Sequence, residues 1–591
     1  MSLPYSVQAP SDFVDRHPER IDQWKNLVRT DPRRAVRVLT LSGVNSETID
    51  GDTPVDTQYV IAQLRIVSKE AKGDHWKALV NAGVIGALCK CALNFQAAVM
   101  LREDTGVPRA EVENVAKQMF ASYFHPLEII CNAVVSGSLP PTATEKKTVE
   151  EMKKYWSSIM QRVWSEPGYT LEPTPREVRV IERVVIAQNL VRLSLFDPSF
   201  YEIILKPSDL TLAVLFRYWM HSTAVADSRL NLMVLLPLLE PPYPQHLKEY
   251  FEQHPPPDMH ALLPRILLGA SKTAGSEKKK RTPGQAADAI LSATASHLEK
   301  LGLEDVTYEY NFFHALLNHS EKENRAFVRA AFKSSSLWAA NAQVMRRSAA
   351  AKSQLGDGVY MGALMTYSTV IHVVEQDGKE FIDALVSSWM STGLFDAVED
   401  TVDVLMKAPR GPMLLTSIIA ALDRWIPQLS AKTRRLMRSQ LPRPRLIKSL
   451  LAPGFIRGEE DRERLDNDYA DLVARGMGSS PQNSMWTQGA WQMLEQVSSK
   501  VEEPGDCARR GCEKKVDAEG RPEQACHMCK ITKYCSIGCL EKDMAEHGHI
   551  CGWVHFLEDI RKQNATKEES APASEGEVSR QLGGLTLSDL D

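Results

Sequence analysis

Apolar residues recur at the spacing of an α-helix over most of the chain. Val60, Leu64 and Val67 fall on one helical face, so this segment can bury one side and leave the other in water. The dipeptide Thr53-Pro54 precedes them, a threonine that can cap a helix followed by a proline suited to the first helical position. The pattern predicts a helix that begins near residue 54.

A second segment also combines a capping residue and a proline with an apolar stripe that follows them. Thr174-Pro175-Arg176-Glu177 has the form of a capping box, and Val178, Ile181 and Val185 follow it on one stripe. Strict alternation of apolar and polar residues, which marks a half-buried strand, is scarce between about residues 20 and 450. The pattern therefore predicts an all-α fold class.

One local pattern occurs twice. Residues 81–88 read Asn-Ala-Gly-Val-Ile-Gly-Ala-Leu, and residues 391–398 read Ser-Thr-Gly-Leu-Phe-Asp-Ala-Val. Glycine allows a tight turn between helices, and the apolar pair after it can pack the next helix onto its neighbour. This pattern resembles the turn before the long helix of an armadillo repeat, which implies an armadillo-like α-solenoid. No even period of about 40 residues runs through the region, so the solenoid is irregular, and an irregular helical domain is the alternative.

The composition is that of an ordinary globular protein. The 591 residues are 43% hydrophobic and 25% charged, with a net charge of -5 and pI ≈ 6.3, so no global attraction to nucleic acid or anionic lipid is expected. No apolar run approaches the roughly 20 residues that span a bilayer. The first 20 residues carry Asp12, Asp15 and Glu19 and lack the apolar core of a secretory signal peptide. We expect a soluble intracellular protein, cytoplasmic or nuclear or both.

Metal-binding chemistry is concentrated near the C-terminus. Seven of the ten cysteines lie between residues 507 and 551, together with a histidine at the eighth ligand position. The eight are Cys507, Cys512, Cys526, Cys529, Cys535, Cys539, His547 and Cys551. Structural zinc sites use four Cys or His ligands, so eight ligands predict two closed sites. Disulfides are the alternative, but Cys-x-x-Cys pairs in an intracellular chain more often bind metal.

These residues resemble a MYND zinc finger, including the Tyr534-Cys535-Ser536 step and the closing His547 and Cys551. MYND fingers interleave their ligand pairs. The resemblance therefore implies one zinc held by Cys507, Cys512, Cys535 and Cys539 and a second held by Cys526, Cys529, His547 and Cys551. Spacing alone leaves a sequential arrangement open. His527 and His549 lie among the ligands and are expected to be surface or outer-sphere histidines.

The resemblance also implies a function. MYND fingers are protein-interaction modules that bind short proline-containing peptides in a shallow groove. Leu540 and Met544 stand where the family has a glutamine and a tryptophan, so they are the peptide-binding candidates, and the amide and the flat aromatic wall for proline are both absent. The remaining cysteines, Cys89, Cys91 and Cys131, lie among apolar residues and are expected in the core.

Nucleic-acid binding and lysine methylation are the two rival functions. Basic residues in the finger, such as Arg509 and Arg510, are matched by nearby acidic ones, whereas phosphate binding needs an unbalanced basic face, so nucleic acid is not an expected partner. Residues 318–320 read Asn-His-Ser, which resembles one step of the SET-domain lysine methyltransferases. The Glu-Lys-Glu that follows lacks the expected cysteine and proline, and the finger comes after the motif instead of before it. No catalytic residues are predicted.

The predicted organisation is given by residue ranges. It comprises an N-terminal extension at 1–20, an α-helical armadillo-like region at 21–452 with a basic loop near 272–285, a charged linker and short helix at 453–500, a MYND-type finger at 501–562 and a disordered acidic, Ser-rich tail at 563–591. The predicted function is a zinc-binding adaptor that contacts proteins or short peptides through both the finger and the helical body. A transcriptional co-regulator is its more specific version, and a SET-type methyltransferase is the alternative. The partners and the oligomeric state are not determined by the sequence.

Overall fold

The computed structural model describes most of the chain. The described residues are 18–40, 57–94, 120–121, 123–165, 171, 176–239, 243–271, 280–323, 325–377, 379–408, 410–451, 481–503, 505–516, 524–555, 557–559 and 562. The chain divides into two compact units, residues 1–344 and 345–591. This division falls inside the predicted helical region 21–452, whose bounds stay a prediction.

Helices form the first unit. They are α1 (Pro18–Thr30), α2 (Pro32–Thr40), α3 (Thr57–Val67), α4 (Asp74–Ala82), α5 (Val84–Asn94), α6 (Phe124–Ser136), α7 (Ala143–Ser165), α8 (Arg176–Phe196), α9 (Tyr201–Ile204), α10 (Thr211–Met220), α11 (Val225–Leu239), α12 (Gln245–Gln253), α13 (Met259–Leu267), α14 (Pro283–Lys300), α15 (Leu303–Glu323), α16 (Arg325–Lys333) and α17 (Ser335–Ala351), which contains the division. Helices close in chain order pack together: α6 packs on α8, α8 on α11, and α11 on α15.

The second unit contains further helices and the cysteine-rich segment 501–562, which is called the finger below. Its elements are α18 (Gln354–Asp377), α19 (Ile382–Ser391), α20 (Leu394–Asp400), α21 (Val402–Lys407), α22 (Gly411–Trp425), α23 (Ala431–Gln440), α24 (Pro444–Leu451), α25 (Pro481–Val501), β1 (Gln524–Ala525), β2 (Lys533–Tyr534) and α26 (Ile537–Gly548). Helix α22 packs against both α18 and α25. The predicted short helix before the finger is therefore part of α25, where Trp491, Leu494 and Val497 are buried.

The all-α prediction is confirmed for the described residues, where strands occur only as the short pair β1 and β2. Helix α3 buries the predicted stripe of Val60, Leu64 and Val67. The start signals at residues 53–54 and 174–175 lie outside the described residues. The buried face of α3 therefore follows the apolar periodicity of the sequence.

Both predicted glycine turns have the same backbone geometry. Gly83 ends α4 with φ +95°, and Gly393 separates α19 from α20 with φ +77°. These are left-handed conformations that a side chain disfavours sterically, which is why glycine occupies both positions. The two segments therefore share a real structural feature, a sharp bend between consecutive helices.

The core of the first unit contains charged groups that the apolar pattern did not indicate. On α8, Val178 and Ile181 are only half-buried, whereas Arg179 and Arg183 are fully buried. Arg179 pairs with Glu182 at 2.6 Å, and Arg183 pairs with Asp227 of α11 at 2.7 Å. Buried ions persist only when paired and hydrogen-bonded, so this helix is positioned by ion pairs as well as by its apolar stripe.

No single described helix is long and apolar enough to cross a membrane. The helices on either side of Gly83 pass that test only as a pair, across a bend of 65°. Both carry residues of the buried core, including Trp76, Leu79 and Leu88.

Candidate metal centre

Short local structures position the ligands of the finger. Strands β1 and β2 pair antiparallel, with Gln524 opposite Tyr534, so the segments around Cys526 and Cys535 lie side by side. Ser536 caps α26 by accepting a hydrogen bond from the backbone N–H of Cys539 at 3.2 Å. Lys530, just after Cys529, has φ +59°, which folds the Cys-x-x-Cys segment back on itself. The two cysteines of that segment are thereby brought together.

The first ligand set consists of cysteines only. The sulfur atoms of Cys507, Cys512, Cys535 and Cys539 all lie within 4.8 Å of one another, and all four residues are buried. The Sγ–Sγ distances are 3.7 Å for Cys512–Cys535, 3.8 Å for Cys512–Cys539 and 3.6 Å for Cys535–Cys539. A tetrahedron of sulfurs about 2.3 Å from a zinc ion has edges of about 3.8 Å. This four-cysteine cluster therefore has the size of a tetrahedral zinc site.

The second set combines three cysteines with a histidine. The ligand atoms of Cys526, Cys529, His547 and Cys551 also lie within 4.8 Å of one another. Cys526 Sγ is 3.8 Å from Cys551 Sγ, and Cys529 Sγ is 3.5 Å from His547 Nε2. With a Zn–N bond of about 2.0–2.1 Å, the expected S–N edge of a tetrahedron is about 3.6 Å. This Cys3His cluster is thus equally suited to a metal ion.

The structure brings the residues together in the interleaved grouping that the resemblance implied. His527 is exposed and His549 is half-buried, and neither belongs to a cluster. The seven cysteines of the finger are free thiols, as are Cys89, Cys91 and Cys131, which lie in the core of the first unit as expected. Each cluster could hold one metal ion, and its soft, borderline ligands are consistent with zinc.

The thiols differ in their tendency to ionise. Burial raises the pKa of Cys507 and of Cys551 to about 12. At Cys539 burial acts in the same direction, but hydrogen bonds from Ser536, the neighbouring cysteines and Arg509 prevail and lower the pKa to about 7. Four neighbouring thiolates repel one another, so a bound cation would supply the charge that holds them together.

A small apolar core lies between the two clusters. Tyr534 is fully buried and donates a hydrogen bond from its hydroxyl to Asp543 Oδ2 at 2.9 Å. Leu540 is packed with Tyr534 and the ligating cysteines. Since it is 5% exposed, Leu540 is a core residue in this conformation, and a peptide would not reach it from the surface.

The outer surface of the finger exposes apolar side chains. Met544 is 47% exposed, Ile537 59% and Met528 80%. Ile537 and Met544 are seven residues apart on α26, so they lie on the same helical face. The sequence pattern predicted Met544 as a binding candidate but did not single out Ile537, which the spacing of seven residues places on the same face of α26.

The finger also contacts the helices of its own unit. Arg438 of α23 binds Asp506 with Nε–Oδ2 at 2.7 Å and donates from Nη2 to the carbonyl oxygen of Cys512 at 3.1 Å. Glu399 of α20 accepts from the buried Arg443 at 3.1 Å and lies 3.5 Å from Arg510 of the finger. These ion pairs fix the four-cysteine cluster against α20 and α23.

The Asn-His-Ser triplet lies elsewhere, inside helix α15 of the first unit. His319 Nε2 is 2.9 Å from the carbonyl oxygen of Leu239, and Ser320 is fully buried. This helical placement does not favour the methyltransferase alternative.

Compared with known protein families, with curated proteins and with solved structures, the chain matches none.

Proposed function

We propose that the finger is a zinc-stabilised MYND-type module through which this chain binds other proteins, as an intracellular adaptor without catalytic activity of its own. The observation that carries the proposal is the pair of closed, tetrahedrally spaced ligand clusters that hold α26 with Ile537 and Met544 exposed. In a closed site all four metal positions belong to the protein, so the metal contributes folding free energy and leaves no position for a catalytic water.

The exposed face of α26 supports the choice of a protein partner. Apolar side chains that project from a rigid helix can enter a pocket or pack on the apolar side chain of a peptide. Ile537 and Met544 provide such anchors about two turns apart on one face. Methionine adapts its shape to different partners, which suits a module that binds short segments. Met544 is the predicted candidate that serves as an anchor in this proposal, whereas Leu540 belongs to the core of the module.

The helical body is proposed as a second, armadillo-like platform. Packing between helices close in chain order, such as α6 with α8 and α8 with α11, supports stacked helical units. The left-handed turns at Gly83 and Gly393 are consistent with repeated bends between such helices. A role as a transcriptional co-regulator, cytoplasmic or nuclear, is the more specific version. Most of its basic loop near residues 272–285 lies outside the described residues.

The proposal is tested by affinity capture with full-length protein and a double variant, Ile537→Lys with Met544→Lys. We expect the double variant to capture at least tenfold less of each partner that binds through the finger. Two charges buried in an apolar contact oppose binding. Ile66→Lys is the matched control, since Ile66 is 52% exposed on α3 of the first unit and is not part of α26. Zinc content is measured on all three proteins by mass spectrometry of the metal, with two ions per chain expected.

The outcomes separate the parts of the proposal. Identical partners for all three proteins would exclude the α26 face as the recognition surface. A zinc content below two in the native chain would exclude the two-site finger. Stoichiometric binding of S-adenosylmethionine would favour the methyltransferase class instead.

A further inference from the structure

A cleft of about 980 Å³ opens in the second unit between α23, the end of α25 and the finger. Its apolar lining includes Pro442, Ile531, Val554 and Leu557. The face of α26 that carries Ile537 and Met544 is not part of it, since neither residue lines the cleft. The cleft is therefore a second surface, of the size that binds a short peptide segment.

One wall of the cleft is strongly basic. Residues 431–450 contain seven Lys or Arg residues and no Asp or Glu, in a chain whose net charge is -5. Arg434 and Arg435 of α23 line the cleft and are exposed. Neither arginine forms an ion pair among the described residues. These two consecutive arginines, in the middle of α23, are thus available to a carboxylate ligand.

Acidic residues of the same cleft are already engaged. The two oxygens of Asp506 lie 2.7 Å from Arg438 Nε and 2.8 Å from Lys515 Nζ. Glu503 lies 2.9 Å from the same lysine. Arg434 and Arg435 are not part of these pairs, so their positive charge is local to one edge of a lining that also contains acidic residues such as Glu513 and Glu558.

An acidic and apolar segment of the chain begins beside this cleft. Leu557 and Glu558 line it, and residues 563–591, which lie outside the described residues, follow directly. These 29 residues contain six Asp or Glu against two Lys or Arg. Their last part, residues 580–591, places four leucines beside Asp589 and Asp591. At a maximum of about 3.3 Å per residue, residues 563–579 can reach roughly 56 Å, which is enough to return to a cleft that borders the starting point.

We propose that residues 580–591 of this chain bind in the cleft, with leucines on its apolar lining and the carboxylates of Asp589 and Asp591 at Arg434 and Arg435. A tether of this length gives an effective concentration in the millimolar range, so even a weak contact is formed intramolecularly. The segment then excludes other acidic peptides from the cleft. Binding of such a peptide requires the segment to leave first.

The test uses a fluorescein-labelled peptide of residues 580–591 and two full-length proteins. One is the native chain, and the other carries Leu585→Ser, Leu587→Ser and Leu590→Ser, which weaken its own segment. Anisotropy titration should show at least tenfold tighter binding to the serine variant, because its cleft is open. Equal binding to both proteins, or no binding to either, would refute the proposal.

Further variants locate the contact. Adding Arg434→Glu and Arg435→Glu to the serine variant should weaken peptide binding at least tenfold, whereas Arg445→Glu should leave it unchanged. Arg445 is the matched control because it is exposed in the same basic stretch but does not line the cleft. An equal loss with Arg445→Glu would show general charge attraction and overturn the assignment. The milder pair Arg434→Gln and Arg435→Gln checks that charge reversal has not unfolded α23.

Two other occupants have distinct signatures. A native chain that sediments as a dimer, with a monomeric serine variant, would assign the cleft to the segment of a second copy. Equally tight binding of an unrelated acidic dodecapeptide without leucines would assign it to acidic partners in general. Both results would overturn the intramolecular form. The variants at Ile537 and Met544 should leave peptide binding intact, so failure of this proposal and failure of the adaptor proposal are distinguishable.

Discussion

At the scale of single residues, burial separates positions that the sequence presents as equivalent. Leu540 and Met544 are the two peptide-binding candidates that the sequence offers, yet Leu540 is packed among the candidate metal-ligand cysteines and Met544 is exposed. Helical spacing alone does not separate them, because residues four apart lie on nearly the same face; packing against Tyr534 and the cysteines buries Leu540, while Met544 and Ile537 are exposed. The exposed face therefore pairs Met544 with Ile537.

Buried ionisable groups are the other feature that appears at this scale. His297 of α14 lies 3.2 Å from Glu309 of α15, and both are almost fully buried. Burial opposes protonation of His297, but Glu309, a hydrogen bond with the backbone of Ser222 and the charge of Asp227 prevail and raise its pKa above the ordinary value of 6.5. Glu309 also accepts hydrogen bonds from Trp219 and Ser228, so the pair is embedded in a network.

This pair predicts a pH dependence of stability. A raised folded-state pKa gives a stabilisation that is complete below pH 6.5 and disappears as the pH rises through the folded-state pKa, since the unfolded chain releases the proton first. The urea midpoint of unfolding, followed by tryptophan fluorescence, should therefore fall as the pH rises above 6.5. The fall should be smaller in Glu309→Gln. His254→Gln, a change at an exposed histidine of the same unit, should keep the native slope. A slope unchanged by Glu309→Gln would contradict the assignment.

At the scale of elements, the two glycine turns share a conformation but differ in their surroundings. An added Cβ at Gly83 would meet nothing within 4 Å, whereas at Gly393 it would lie 3.0 Å from Asp396 Oδ2. Asp396 is 2.6 Å from Arg443 Nη1, so movement at this turn reaches the buried arginine that pairs with Glu399. The same local sequence pattern thus leaves free space around the glycine in the first unit but not in the second.

Alanine substitutions should distinguish the two turns. Gly83→Ala should destabilise by about 1–2 kcal/mol, the cost of a left-handed backbone with a Cβ. Gly393→Ala should cost more, because the carboxylate of Asp396 must also shift. Chemical denaturation of each variant against the native chain measures the difference. A neutral or stabilising Gly393→Ala would show that the turn does not keep its φ of +77° in solution.

At the scale of the whole molecule, the finger is integrated into the second unit. Helix α26 packs beside α24, and Arg438 and Arg510 connect the finger to the helices through ion pairs. The helices keep their own apolar contacts, such as that of α22 with α25, which do not depend on the metal ligands. Loss of metal should therefore unfold the finger without unfolding the packed helices.

Two substitutions within one turn test this. Cys529→Ser removes a ligand and should reduce zinc from two ions per chain to about one, because three remaining ligands hold the metal less tightly. Limited proteolysis should then cleave within 501–562 and spare the helices of residues 345–451. Met528→Ser changes an 80% exposed neighbour and should retain both ions. Degradation of the helices in Cys529→Ser would show instead that the whole unit requires the metal.

The sequence by itself determined the all-α class, the helical stripe of α3, the two glycine turns and the identity of eight potential metal ligands. Each depends on local chemistry: apolar periodicity, a backbone conformation that glycine tolerates, or the density of Cys and His. Each of these properties depends on a short stretch of sequence. They can be recognised before the fold is known.

Only the tertiary structure decided which groups meet. It brought the ligands into two interleaved clusters, buried Leu540 while exposing Ile537, and placed Arg179 and Arg183 in the core beside Glu182 and Asp227. The ion pairs of Arg438 and Arg510 join segments more than 60 residues apart. Contacts of this kind arise from the packing of segments that are distant in the sequence. The free-energy cost of burying a charged side chain is offset only when packing places an oppositely charged partner beside it.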